Sequence, residues 1–183
     1  MELAKSSEKW PAWLWMGIVL LGAVARLIPH PWNFTPLVAM GLFAGTYARR
    51  MSAAAAATLV SLVLGDLILG LAVYHRFTLD FSFVYPAALV PVLLGRLARS
   101  RKRPVEIATA ALASSLSFFA ITNFGSWLIT GLYPHTLSGL AACYAAGIPF
   151  YGNQLLGDVF YTLVMFGSYQ LLARRRRLAR AAA

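Results

Sequence analysis

The chain has 183 residues, of which 60% are hydrophobic and only 12% are charged. A soluble domain usually carries about 25% charged residues, so this composition predicts a membrane protein, and the length allows a single membrane domain rather than two. The net charge of +10 does not indicate a nucleic-acid partner, because the Lys and Arg residues stand in short clusters between long apolar runs.

Six apolar runs follow one another along the chain. Crossing about 30 Å of hydrocarbon takes about 20 helical residues, and on that basis we predict an all-α polytopic bundle of about six transmembrane helices. Ser52 is predicted to cap the third helix and Pro104 to open the fifth. The apolar run 136–147 is too short to span, so we predict an interfacial or re-entrant piece there. The predicted helices cover 12–28, 36–48, 53–74, 82–98, 104–132 and 148–173.

The basic residues predict the orientation of these helices. If there are six spans, all but two of the 16 Lys and Arg residues fall on one side of the membrane. The positive-inside rule then places both termini in the cytoplasm of a bacterial-type inner membrane. We therefore expect a cytoplasmic tail over 1–11, one six-helix domain over 12–173 and a basic cytoplasmic tail over 174–183. Cleavage of the first apolar run as a signal peptide is the alternative for the N-terminus.

Small residues mark the predicted packing faces. Gly41 and Gly45 form a GxxxG pattern, which lets the backbones of two membrane helices approach closely. We expect this face to pack within the bundle, and docking onto a partner subunit is the alternative.

Polar side chains inside the predicted spans are the strongest functional signal. Ionisable groups in lipid are costly and usually mark a pathway, a site or a paired structural lock. Estimated depths place these groups in the outer half of the membrane, together with a proline-stiffened loop before the second span and a tryptophan able to stack on a ligand ring. The candidate ligand-binding residues are Arg26, Asn33, Asp66, Asn123, Trp127, Asn153, Gln154 and Asp158.

Two interpretations of this polar set stay open. Arg26 could pair with Asp66 or Asp158 and only lock the helices, since a buried ion pair is weak evidence of function. One Arg and two Asp leave a carboxylate that must be protonated, bind a cation or face water. The tripeptide Leu-Gly-Asp occurs at both aspartates, which could mark an inverted repeat or simply a close helix approach beside each glycine.

Motifs of enzymes are missing from the sequence. It holds no phosphate-binding P-loop, no dinucleotide glycine pattern and no HExxH, so we expect no cofactor and no catalytic residue. The three histidines show no metal-ligand spacing, and no metal site is predicted. The single cysteine, Cys143, excludes an internal disulfide.

Four segments carry a resemblance to known proteins. Residues 26–36 (RLIPHPWNFTP), 64–66 (LGD), 122–125 (TNFG) and 156–158 (LGD) resemble an uncharacterised family of small bacterial six-helix membrane proteins. That family looks related to the S components of energy-coupling-factor (ECF) transporters. The resemblance implies an ECF S-component-like fold, a site near the outer surface under the loop between the first two helices, and a transmembrane coupling subunit with ATPases as partner. The first span has no AxxxA docking patch, which departs from many S components.

These observations lead to three functional hypotheses. The first is a substrate-binding membrane subunit for uptake of a small polar or vitamin-like solute, with the lipid bilayer and that ligand as its partners. The second is a non-transporting scaffold of the same fold, such as a cell-wall-assembly partner, in which the polar cluster is structural. The third, a lipid-modifying enzyme, needs a reactive residue at an interface, and the positions of the Asp and His residues do not suggest one.

Overall fold

The computed structural model describes residues 17, 21, 24–25, 31–71, 82–100 and 103–181. The predicted first span lies mostly outside these residues, as do Arg26, His30 and His75. The described part is helical and contains five helices longer than one turn: α1 (Leu37–Tyr47), α2 (Met51–Leu69), α3 (Val84–Ala98), α4 (Pro104–Ile129) and α5 (Leu137–Ala181). No strand occurs among the described residues.

Three of these helices are long and apolar enough to cross a membrane. They are α2, α4 and the part of α5 over Leu137–Arg175. With 11 and 15 residues, α1 and α3 extend only about 16 and 22 Å, less than the hydrocarbon thickness of a bilayer. The described residues therefore support a helical membrane protein, while six complete crossings stay a prediction.

Helix α1 is the centre of the bundle. It packs against the other four helices, which contact one another in chain order from α2 to α5, and the described parts of α5 and α2 do not touch. Every residue from Leu37 to Thr46 is buried. A helix that is hydrophobic on all sides exposes no polar face, so this short apolar run can be enclosed by other helices on every side.

Glycine contacts hold α1 against α3. A Cβ added at Gly45 would overlap the Val92 carbonyl oxygen, and one at Gly95 would overlap the Leu42 carbonyl oxygen. Gly41 faces the Pro91 side chain at 3.1 Å from such an added Cβ. The GxxxG pattern therefore packs within the bundle, which confirms the first of the two alternatives considered for it.

Arginines gather where α1 and α3 end, and we call this the basic end of the bundle. Arg96 and Arg99 donate hydrogen bonds to the carbonyl oxygen of Ala48, at 3.1 and 2.8 Å. The rings of Tyr47 and Tyr169 lie 4.2 Å apart, which brings the later part of α5 to the same end. Arg96 and Arg99 thus satisfy a carbonyl left open where α1 stops.

Two sequence predictions about helix limits were wrong. Helix α2 begins at Met51 after an extended Arg50, so Ser52 lies inside the helix and does not cap it. Helix α5 begins at Leu137, so 136–147 is not a separate interfacial piece but the start of a 45-residue helix. Pro149 costs that helix one backbone donor without ending it, and its first turns are held by side chains bonded to α4. The prediction that Pro104 opens its helix is confirmed.

Candidate functional site

One face of α5 buries a row of polar side chains. Gln154, Asp158 and Thr162 are spaced four residues apart, which places them above one another on the same helix face. All three are buried, and Asp158 is only 2% exposed. One turn further along the same face, Met165 and Phe166 belong to the apolar core around α1.

Hydrogen bonds join this row to α4. The Gln154 side-chain amide donates to the Ser115 carbonyl oxygen at 2.8 Å and to its hydroxyl oxygen at 3.2 Å. Ser115 and Gln154 are also the polar side chains beside the Asp158 carboxyl group. Ser114 and Ser115 are both 0% exposed. Contacts join Ser115, Gln154 and Asp158, while Thr162 lies one turn further along the same face and Ser114 precedes Ser115 in the chain. We call these five residues the polar cluster.

Three oxygen atoms of the polar cluster are buried without a hydrogen-bond partner among the described residues. They are Ser114 Oγ, Asp158 Oδ2 and Thr162 Oγ1. Burying such groups without a partner costs on the order of 1–3 kcal/mol each, and more for a charged group. Native proteins hold few of them, so these three call for a functional or structural reason.

The stiff loop before α1 lies directly against this region. A Cβ added at Gly157 would come within 3.1 Å of the Phe34 Cα and 3.2 Å of the Thr35 nitrogen. The Phe34 ring packs between Phe160 and Tyr161, with centroids 5.8 and 5.6 Å away. The glycine of the second Leu-Gly-Asp therefore permits a close backbone approach, here of a loop rather than of a helix.

The position of the polar cluster along its two helices can be measured. Ser115 lies about 16 Å along α4 from Pro104 at the basic end and about 21 Å from Ile129 at the other end. Gly157 lies about 30 Å along α5 from Leu137. The polar cluster is thus close to the middle of these helices, and its depth in the membrane stays a prediction.

The structure does not unite the predicted site residues. Asp66 on α2 accepts a hydrogen bond of 2.6 Å from the Tyr85 hydroxyl of α3, away from α5. Asn123 donates to the carbonyl oxygen of Phe119 in its own helix and lies about 12 Å along α4 from Ser115. Among the predicted site residues that the structure describes, Gln154 and Asp158 share one cluster, and the joint site of the full set stays a prediction.

The remaining predicted residues lie apart from the polar cluster. Trp127 donates its indole N–H to the Pro134 carbonyl oxygen at 3.0 Å, at the end opposite the basic end. Asn33 is exposed, with a positive φ of 64°, and Asn153 is half-buried beside Gln154 in the chain. Arg26 lies outside the described residues, so its pairing with either aspartate stays a prediction.

Four participating residues escaped the sequence prediction. Ser114, Ser115 and Thr162 belong to the polar cluster, and Tyr85 binds Asp66. The serines stand in an Ala-rich run of α4 that carries no ionisable residue to draw attention to them. The four-residue spacing from Asp158 was the available signal for Thr162.

The acidic and metal-ligating residues of the described ranges do not form a metal cluster. No group of three or more His, Cys, Asp or Glu side chains comes together there. Asp158 is the only charged residue of α5 before Arg174, and α4 holds only Glu106, in its first turn. The polar cluster therefore offers mainly oxygen atoms and one carboxylate.

The described residues define the class of the protein, a helical protein with apolar membrane-length helices. The chain belongs to the Family of unknown function (DUF6580), whose model matches residues 6–181. No curated protein and no solved structure matches it significantly.

Proposed function

We propose that the protein is a substrate-binding membrane subunit for uptake of a small polar solute. The observation that carries this proposal is the set of unpartnered oxygens of Ser114, Asp158 and Thr162, buried between two membrane-length helices. Lipid supplies no hydrogen bonds, so polar groups in such helices are kept where they bind something or line a polar path. A solute with hydroxyl or amino groups would supply donors to these acceptors.

The loop before α1 supports a covered binding site. Its backbone contacts Gly157, the residue before Asp158, and Phe34 packs on the following turn of the same helix. Pro31 and Pro36 flank the contact and restrict the backbone of this loop. A solute in the polar cluster would be reached by displacing this loop, as the resemblance to S components implies for the corresponding segment.

Energy for uptake would come from other subunits. The resemblance to ECF S components implies a transmembrane coupling subunit with ATPases, placed on the cytoplasmic side with both termini of this chain. The basic end, where Arg96 and Arg99 lie, would then face the cytoplasm by the positive-inside rule.

A second candidate function is a non-transporting scaffold of the same fold. It is favoured by the Asp66–Tyr85 hydrogen bond and by the tight glycine contacts between α1 and α3, since both are purely structural. In a scaffold the polar cluster would be a lock between α4 and α5, as the Gln154–Ser115 hydrogen bonds already are.

Native mass spectrometry of the purified full chain separates these functions. We expect a small-molecule adduct on the wild type that disappears in Asp158→Ala. Thr122→Val is the matched control, because the Thr122 hydroxyl bonds only within α4, to the Phe118 and Phe119 carbonyl oxygens. An adduct equally retained by folded Asp158→Ala would refute the proposed site, and a wild type that carries no adduct and binds no polar solute would favour the scaffold.

A further inference from the structure

The helical threonines in the described ranges follow a rule with one exception. Thr46, Thr58, Thr109 and Thr122 each donate the hydroxyl to the carbonyl oxygen four residues earlier, at 2.8–3.0 Å. This local bond is the usual way to satisfy a threonine hydroxyl inside a helix. Thr162 does not make it, and its Oγ1 is buried without a partner in the described part of the chain.

The exception lies one helical turn from Asp158, whose Oδ2 is also unpartnered. Ser114 Oγ, on the facing helix beside the hydrogen-bonded Ser115, is the third such atom. None of the three oxygens is paired with another. Oxygens that surround a bound cation behave in this way, because each directs a lone pair at the ion rather than a proton at its neighbour.

Charge decides which cation would suit the polar cluster. An ionised Asp158 would contribute one negative charge, and the described parts of α1, α4 and α5 bring no Lys, Arg or His beside it. A monovalent cation would neutralise the carboxylate, whereas a divalent ion would leave a net charge buried in the bundle, which is costly. Carboxylate and hydroxyl oxygens are hard ligands, which suit alkali-metal ions better than transition metals.

We infer that Ser114, Asp158 and Thr162 form a binding site for a monovalent alkali cation of the size of Na⁺ or K⁺. The cation would neutralise Asp158 and join α4 to α5 at mid-helix. This inference deepens the proposed function, because a cation in the polar cluster would complete the surface that the solute meets. The test of the cation site needs no solute, so the cation inference and the proposed function can fail separately.

The test is thermal unfolding of the purified full chain in detergent at constant ionic strength. NaCl and KCl are titrated against N-methyl-D-glucamine chloride, whose cation is too large for the site. We expect the wild type to gain stability with the logarithm of the Na⁺ or K⁺ concentration. Asp158→Asn and Thr162→Val should lose this dependence, and Thr122→Val should keep it.

Three outcomes would overturn the inference. The first is a wild type whose unfolding temperature is the same in all three salts, as expected if Arg26 already neutralises Asp158. The second is a folded Thr162→Val and Asp158→Asn pair that retains the wild-type dependence. The third is a Thr122→Val control that loses the dependence of stability on Na⁺ or K⁺ as completely as Asp158→Asn does. A wild type that carries no adduct and binds no polar solute would refute the proposed function and leave this cation titration unaffected.

Discussion

Replacing Gly45 by alanine tests whether backbone contact between α1 and α3 holds the bundle together. The added Cβ would overlap the Val92 carbonyl oxygen and lie 2.8 Å from its carbonyl carbon. Carbon atoms pack at about 3.5–4.0 Å, and a backbone carbonyl cannot rotate away as a side chain can. The two helices would therefore have to separate by roughly 1 Å.

The cost of this separation can be bounded from the structure. Overpacking a buried site costs about 1–3 kcal/mol, and the opposing gain in helix propensity from Gly to Ala is at most about 1 kcal/mol. Because Gly95 packs reciprocally on the Leu42 carbonyl, the helices cannot relax by sliding along this contact. We expect Gly45→Ala to lower the free energy of unfolding by about 2 kcal/mol, the upper end of the overpacking cost less the gain in helix propensity.

Denaturant titration of the protein in mixed micelles, followed by circular dichroism, measures this loss. Gly152→Ala is the matched control, since a Cβ at this helical glycine would meet no atom within 4 Å. The control should be neutral or stabilising by up to about 1 kcal/mol. If the two variants unfold at the same denaturant concentration, the packing argument is wrong.

Three further predictions concern contacts outside α1. Tyr85→Phe removes the hydrogen bond to Asp66 and should lower the unfolding free energy by about 1–3 kcal/mol in the same titration, as for other bonds to charged groups; an unchanged value would contradict this. Cys143 is buried against α4, so maleimide should label it only after denaturation, and rapid labelling of the folded protein would count against the position of α5. Gly157→Leu should push the Phe34 backbone off α5, and hydrogen–deuterium exchange should then rise over 32–35, whereas unchanged exchange would show that this contact is not tight.

Much of the fold was predictable from local sequence signals. The limits of α1, α3 and α4 agree with prediction within a few residues, because prolines and arginines stand at their ends and the runs between them are apolar. The start of α5 was missed because the run 136–147 was judged too short to span and was separated from the helix that follows it. In the structure, side chains of the first turns of α5 bond to α4: Tyr144 donates to the Ala120 carbonyl at 2.7 Å, and Cys143 to the Asn123 carbonyl.

The site was predictable only in part. Position along each helix gave an approximate depth for Asp66 and Asp158, but it could not show that the two residues lie on helices without mutual contact. That separation arises because α1 occupies the centre, and a helix of 11 residues is too short for its central place to be recognised from hydropathy. Which residues share a cluster depends on the rotation of each helix, and packing fixes that rotation.

The central claim is that the polar cluster is a binding site rather than a lock, and the stability of Asp158→Asn tests it most directly. The unfolding free energy of this variant and of the wild type is measured in buffer free of Na⁺, K⁺ and solute. A buried charge that serves to bind a ligand destabilises the protein when the site is empty. We therefore predict that Asp158→Asn is at least as stable as the wild type in this buffer. A loss of about 3–5 kcal/mol, the usual cost of breaking a buried ion pair, would contradict the account and make Asp158 a structural lock.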